Sequence, residues 1–213
     1  MRRFNLAIRM LGQEARLRTV CLWTGLSSDR VSNLSQMREL KEVQHGQRRR
    51  GPSPSEVARF LTNASFRSEV DAVAGILWLE GLIPSEPIVS ARRTFPNVPR
   101  GERLCASLEF FRGIVPNARL SLEQVALLLI ALVEGQQWSI DCCRRCTAIV
   151  VVDRLALARR RACEDCQRDL RKHAAKGLIA TTTDSTSNLD ECEEQMVGEQ
   201  LGLFDDLKKD PSR

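Results

Sequence analysis

Tyrosine is absent from this 213-residue sequence, and the other aromatic residues are scarce, with three tryptophans and seven phenylalanines. A core in a chain of this length must therefore be built mostly from leucine, valine, isoleucine and alanine. Histidine is equally scarce, since His45 and His173 are the only two, and neither stands in a pattern typical of a nucleophilic site or a metal-bound water. The sequence also lacks a glycine-rich phosphate loop and the His-x-Glu pattern of a zinc deaminase. These absences argue against an enzyme and against a small-molecule substrate.

Long hydrophobic runs are missing as well. The longest, Val125 to Val133, is far shorter than the roughly 20 residues that a membrane-spanning helix needs. Arg9 interrupts the N-terminal region before the apolar part of a signal peptide can form. Eight cysteines in a chain without a secretion signal favour metal binding in a reducing compartment over disulfides. We therefore expect a cytoplasmic protein that has no membrane partner.

The most specific motif consists of two Cys-x-x-Cys pairs, Cys143 with Cys146 and Cys163 with Cys166, separated by sixteen residues. Each pair directs two thiolates at one point, and a separation of about 15 to 20 residues is typical of a zinc ribbon. Four thiolates complete a tetrahedron and leave no open coordination position for a substrate or an activated water. The spacing therefore predicts one structural Zn²⁺ per chain, bound by these four cysteines.

Other interpretations of the cysteines remain open, namely disulfides, a redox pair, or an iron centre with the same ligands. A thioredoxin-like redox pair requires the start of a helix inside a βαβ unit, and neither pair lies in such a unit. Cys142 leaves the register uncertain by one residue, because it could replace Cys143. Of the remaining cysteines, Cys21 and Cys105 lie on helical patterns and are predicted to be buried thiols, which leaves Cys192 unassigned.

The N-terminal apolar pattern predicts a helix-turn-helix. Cys21 lies four positions before Gly25, and Val31 and Leu34 follow that glycine by six and nine positions, which is the spacing of this motif. Its second helix would expose side chains that can contact phosphates or base edges, namely Arg30, Asn33 and Gln36. Helical hairpins that pack against protein partners show the same pattern, so both interpretations remain open.

Beyond this motif the pattern predicts a mainly α fold with three parts. The expected parts are a helical DNA- or partner-binding body over 1–135, a zinc ribbon over 136–176 and a disordered acidic tail over 177–213. The body should contain helices that end near 61 and 80, helices over 102–113 and 122–134, and a proline-rich loop over 83–100. A capping box at Ser121 should start the helix over 122–134. The ribbon should contain strands over 138–140 and 147–152 and a short helix over 167–175.

Charge is unevenly distributed along the chain. From Gly177 onward three basic residues face nine acidic ones, so the overall charge of +5 leaves +11 for residues 1–176. A basic body with an acidic tail is typical of a nucleic-acid-binding protein. Basic side chains also flank the cysteine pairs and are candidate DNA contacts: Arg144, Arg145, Arg159, Arg160 and Arg161. Alternatively, these arginines only balance the net charge of −2 that Zn²⁺ carries with four thiolates.

The order of these features resembles the FlhC family, the larger subunit of the bacterial flagellar master transcription activator. The resemblance covers roughly residues 12–168 and rests on Ala15-Arg-Leu-Arg18, Gly25–Val31, Arg50–Pro54 and the spacing of the four cysteines. It implies a cytoplasmic subunit that forms a hetero-oligomer with FlhD, binds promoter DNA of flagellar operons and recruits RNA polymerase. It also implies zinc on Cys143, Cys146, Cys163 and Cys166.

Two features depart from the family pattern. Basic residues stop near Lys176, where family members carry a further basic segment, and the loop from Ser90 to Pro99 differs as well. These departures leave open the interpretation that the chain is a divergent paralogue of the family that acts on other promoters. The alternative function is a zinc-ribbon protein–protein adaptor that makes no direct contact with DNA.

Overall fold

The computed structural model describes residues 1–41, 56–61, 64–157, 160 and 162–175. These residues form a mainly α fold with a two-stranded sheet and a cluster of four cysteines near the C-terminal end, as predicted. The helices within this part of the chain are α1 (Arg2–Gly12), α2 (Leu17–Thr24), α3 (Ser28–Lys41), α4 (Ala58–Leu61), α5 (Ala64–Leu79), α6 (Ala91–Thr94), α7 (Val98–Ile114), α8 (Leu122–Glu134) and α9 (Glu164–Ala175). The strands are β1 (Trp138–Cys142) and β2 (Ile149–Asp153).

Helix α8 lies at the centre of the core and has the predicted bounds. The Ser121 side chain accepts a hydrogen bond from the Gln124 backbone, and the Gln124 side chain accepts one from the Ser121 backbone. This capping box satisfies backbone donors at the start of the helix. Gly135 ends the helix in the left-handed conformation. The helix is apolar on nearly every face, and most of its side chains are therefore buried against the surrounding helices.

The predicted loop over 83–100 is wrong in part. It contains the short helix α6, and α7 begins inside it at Val98 rather than near residue 102. Asn97 caps α7, because its side-chain oxygen accepts a hydrogen bond from the Arg100 backbone at 2.9 Å. Pro99 stands in the first turn of α7, where the missing N–H of proline costs nothing. A proline-rich sequence was therefore compatible with a helix start.

The helix-turn-helix order is present in the N-terminal region. Gly25 joins α2 to the α3 segment with φ +67°, and its N–H donates to the Cys21 carbonyl at 2.8 Å. Glycine adopts this left-handed conformation without the steric cost that a Cβ adds. On α3, Val31 is fully buried and Leu34 is partly buried against the core. Of the two predicted buried thiols, Cys105 is buried whereas Cys21 is half-buried.

The two strands form an antiparallel hairpin that joins the cysteine cluster to the helices. Its register runs from Trp138 opposite Asp153 to Cys142 opposite Ile149. Alternate side chains of β2 face opposite sides: Val151 belongs to the main helical core, whereas Val150 and Val152 pack with the cysteines. The strand is therefore buried on both faces, between helix α5 and the cluster.

Several predicted features lie outside the described residues. They are the basic segment around Arg48–Arg50, the acidic tail 177–213, Cys192, and the candidate DNA contacts Arg159 and Arg161. Among the helices that are described, none combines the length and the apolar character needed to cross a bilayer.

Candidate metal centre

Four cysteine sulfurs converge at one point. The Sγ atoms of Cys143, Cys146, Cys163 and Cys166 all lie within 4.8 Å of one another, and those of Cys146 and Cys163 are 3.6 Å apart. Sulfurs at the corners of a tetrahedron with a Zn–S length of about 2.3 Å are about 3.8 Å apart. The sulfurs are therefore close enough together to hold one metal ion. Cys143, not Cys142, supplies the first sulfur of this group.

The first cysteine pair is shaped by a tight turn between the two strands. The Cys143 N–H donates to the Ala148 carbonyl at 2.8 Å, and the Thr147 N–H donates to the Cys143 carbonyl at 2.9 Å. Thr147 closes the turn with φ +59°, a conformation that is uncommon for a β-branched residue. This is why β2 begins at Ile149, two residues later than the sequence pattern predicted. The turn directs the Cys143 and Cys146 sulfurs towards the second pair.

The second cysteine pair lies at the N-terminal end of α9. Cys163 immediately precedes the helix and its carbonyl accepts the Gln167 N–H at 3.0 Å, while Cys166 lies in the first turn. The helix therefore begins at Glu164 rather than near residue 167. Thiolates are stabilised at a helix N-terminus by its partial positive charge. In addition, the Cys163 N–H donates to the Cys143 sulfur at 3.3 Å and joins the two halves of the site.

The four thiols do not ionise equally. Burial opposes ionisation of Cys143, but backbone N–H groups of Cys163, Arg145 and Cys146 donate to its sulfur and lower its pKa to about 6. Hydrogen bonds with the sulfurs of Cys163 and Cys146 raise the pKa of Cys166 to about 12. One thiolate therefore forms readily, whereas four thiolates together repel one another. A divalent cation removes this repulsion, and thiolate ligands suit zinc.

A buried ion pair fixes the cysteine cluster to the helical body. Asp71 on α5 accepts the Val151 N–H at 2.9 Å and the Arg160 Nη1–H at 3.0 Å, and Arg160 Nη2 lies 2.8 Å from Asp71 Oδ2. The Asp71 and Arg160 side chains are only 8% and 12% exposed. Arg160 also donates from Nε to the Ala162 carbonyl at 3.1 Å, next to the second cysteine pair. The segment between the two pairs is thus held to α5 as well as by the cysteines.

Sequence reasoning missed Asp71. The residue is separated from Val151 by 80 positions and from Arg160 by 89. A local signal did exist, because Asp71 follows Val70 and precedes Val73 and Ala74 on the inward face of a helix. A carboxylate placed among buried apolar residues requires a partner. Only the folded chain shows which backbone and side-chain donors fill that role.

Arg160 requires a correction as a candidate DNA contact. The prediction treated it as one of five arginines around the metal centre that could meet phosphates. Its guanidinium is instead buried and paired with Asp71, so a contact with phosphate would require this pair to break. Arg144 and Arg145, by contrast, are exposed on the first cysteine turn.

The other candidate DNA contacts lie in a different part of the fold. Arg30, Asn33 and Gln36 are exposed on α3, at the i, i+3 and i+6 spacing of a single helix face. Helix α3 packs on α1 and α2, whereas the cysteine cluster packs on α5 through β2 and α9. The predicted contacts therefore form two separate sets, one on the helix-turn-helix and one on the first cysteine turn.

No protein-family model matches the chain, and no curated protein matches it either.

Proposed function

We propose that this protein is a DNA-binding subunit of a transcription activator. The observation that carries the proposal is the division of α3 into two faces. Val31 and Ser35 are buried, while Arg30, Asn33 and Gln36 are exposed. Their side chains carry donors and acceptors that suit base edges and phosphates in a major groove.

Zinc would have a structural role in this protein. Cys143, Cys146, Cys163 and Cys166 would hold it, and four thiolate ligands leave no position for a reacting water. When bound, the ion would cross-link the hairpin turn to the start of α9. Among the described residues, the small apolar cluster at this end of the molecule has Cys143, Val150 and Val152 as its buried members, so a metal cross-link would add stability that this limited apolar burial does not provide.

The protein would act in a hetero-oligomer with an FlhD-like subunit and recruit RNA polymerase to promoters of flagellar or related operons. This part of the proposal rests on the resemblance to the FlhC family. Exposed apolar side chains on two helices support a protein partner: Phe4 and Ile8 on α1, and Phe110 and Ile114 on α7. Each pair is spaced i, i+4 and so shares one helix face.

The alternative function is a zinc-ribbon adaptor that contacts proteins only. The same exposed apolar side chains favour it, because they suit protein surfaces rather than phosphates. The two functions differ in the expected response to salt. Phosphate contacts release counterions, so the logarithm of the DNA affinity falls linearly with the logarithm of the salt concentration.

A titration of duplex DNA at several salt concentrations tests the proposal. It uses the full-length, zinc-loaded chain, alone and co-purified with an FlhD-like subunit. Selection from a randomised duplex pool then identifies the preferred sequence, and Asn33→Ala and Gln36→Ala should change that preference. Absence of salt-dependent binding in both preparations would favour the adaptor.

A further inference from the structure

Four arginines lie on α1, which packs on α2, and on α6, whose following residue Phe95 contacts Trp23 of α2. Arg2 and Arg3 stand at the start of α1, and Arg92 and Arg93 form the middle of α6. All four side chains are exposed. The Arg3 Nη1 atom lies 4.0 Å from the position that a Cβ would occupy at Gly25, so this side chain extends over the turn itself. We refer to these four arginines as the basic rim.

The packing of Trp23 connects both halves of the basic rim to α2. Trp23, near the end of α2, makes an edge-to-face contact with Phe95, with ring centroids 6.3 Å apart. Phe95 immediately follows α6 and therefore joins the end of α6 to α2, while α6 itself packs on α8. On the other side, a Cβ at Gly101 would lie 2.7 Å from Leu6 Cδ2 and 3.4 Å from Trp23 Cε3. Helix α7 thus closes directly onto α1 and α2.

A fifth arginine holds this arrangement in place. Arg100 stacks on the Phe95 ring, with its guanidinium carbon 4.3 Å from the ring centroid. Its Nη1–H also donates to the Phe95 carbonyl at 2.9 Å. A cation over an aromatic face stabilises the contact. Arg100 therefore positions the segment that follows α6, and the rim arginines remain available for other contacts.

The rim arginines have no ionic partner among the residues described. By contrast, Arg9 pairs with Glu109, Arg119 with Glu69, and Arg160 with Asp71. The rim therefore carries exposed positive charge that no described carboxylate neutralises in an ion pair.

We propose that the basic rim binds phosphates of duplex DNA on both sides of the groove that α3 enters. This inference rests on the proposed function, since it assigns the phosphate contacts of the same DNA-binding surface. Arginine suits this role because its planar guanidinium donates two parallel hydrogen bonds to one phosphate. The rim would fix the orientation of α3, while Asn33 and Gln36 would read the bases.

A lipid surface fits these residues less well than DNA does. A basic amphipathic helix binds membranes through a free apolar face. On α1 most apolar side chains are not free, because Leu6, Ala7 and Met10 are buried in the core, and the exposed ones are the pair Phe4 and Ile8. Two of the four rim arginines, moreover, lie on α6, a helix of four residues. The rim is thus a set of charges from separate elements rather than one amphipathic helix.

The test compares two triple variants that remove the same charge. Arg3→Ala, Arg92→Ala and Arg93→Ala together remove three rim charges, and Arg168→Ala, Arg171→Ala and Lys172→Ala together remove three charges from exposed positions on α9. Binding of the zinc-loaded chain to a random-sequence 30-base-pair duplex is measured at several salt concentrations. Each lost phosphate contact reduces the salt slope by about 0.9. We therefore expect the rim variant to lose about two to three units of slope, and the α9 variant to match the wild type.

A charge-retaining variant and a measurement of helix content complete the test. The charge-retaining triple variant Arg3→Lys, Arg92→Lys and Arg93→Lys should keep the wild-type slope, and circular dichroism should show the same helix content in every variant. A rim variant that binds DNA with the wild-type slope would overturn the inference while leaving the proposed function intact. A rim-dependent affinity for phosphatidylglycerol vesicles without an effect on DNA would also overturn it. No salt-dependent DNA binding by the wild type, either alone or co-purified with an FlhD-like subunit, would overturn the proposed function, and the inference with it.

Discussion

The helix-turn-helix region and the cysteine module use their charged residues in opposite ways. Around the turn, apolar packing of Val20, Trp23 and Val31 supplies the structure, and the nearby arginines of the basic rim remain exposed. In the cysteine module the apolar cluster is small, and Arg160 is buried as a structural group paired with Asp71. Arginines that are adjacent in sequence therefore do not by themselves mark a binding surface. What matters is whether the fold already gives them a partner.

The largest expected effect comes from removing one metal ligand. Cys163→Ser should abolish stoichiometric zinc binding and unfold the hairpin and α9, because three thiolates cannot complete the site and the local core is small. Zinc content measured by atomic emission, together with near-ultraviolet circular dichroism, checks this. Cys21→Ser is the control and should retain about one zinc per chain. Full zinc retention in Cys163→Ser would show that these cysteines do not form the metal site.

The second-largest effect is expected for the buried ion pair between Asp71 and Arg160, which joins the cysteine module to helix α5. Asp71→Ala leaves the buried Arg160 without its ionic partner and Val151 without its acceptor. Breaking one side of a buried pair costs about 3–5 kcal/mol in the free energy of unfolding. Urea unfolding of the zinc-loaded protein measures this cost. The double variant Asp71→Ala with Arg160→Met should recover part of the loss, because no buried charge then remains unpaired. A double variant no more stable than Asp71→Ala would show that the cost does not arise from the stranded charge.

The smallest effect is expected for an exposed ion pair between α1 and α7, formed by Arg9 and Glu109. Arg9 Nε donates to Glu109 Oε1 at 2.8 Å, and this hydrogen bond lowers the pKa of Glu109. The pair therefore stabilises the fold at pH values above the ordinary glutamate pKa. This contribution is lost as the pH falls through the lower pKa that Glu109 has in the folded protein. Because both side chains are more than a third exposed, Glu109→Gln should cost only about 0.5–1 kcal/mol at pH 7.

Urea unfolding at pH 7 and at pH 3 checks the last expectation. The difference between the wild type and Glu109→Gln should shrink at the lower pH, because protonation of the wild-type carboxylate removes the contribution of the ion pair. Glu86→Gln is a suitable control, since Glu86 is exposed and should change stability by less than about 0.5 kcal/mol. An equal difference at both pH values would mean that Glu109 acts through packing and not through its charge.

Local chemistry made much of this fold predictable from the sequence. The capping box at Ser121, the glycine at position 25 and each of the two Cys-x-x-Cys pairs depend on residues within a few positions of one another. Backbone geometry and hydrogen bonding act over the same short range. For this reason α8, the left-handed turn and the composition of the four-sulfur group were all predicted correctly.

Tertiary structure alone decided which charged side chains are buried in ion pairs and which are exposed. Asp71 and Arg160 are 89 positions apart, and nothing close to either residue in the sequence specifies the other. Arg3 and Arg93 likewise lie on separate elements that are both joined to α2, through the packing of α1 on α2 and the contact of Trp23 with Phe95. Periodicity determines which face of a helix is apolar, but long-range packing determines which side chains meet across that face. The sequence by itself thus determined the four-cysteine group and the turn, whereas the packing of α5, α6 and α7 decided which arginines are buried in ion pairs and which remain exposed.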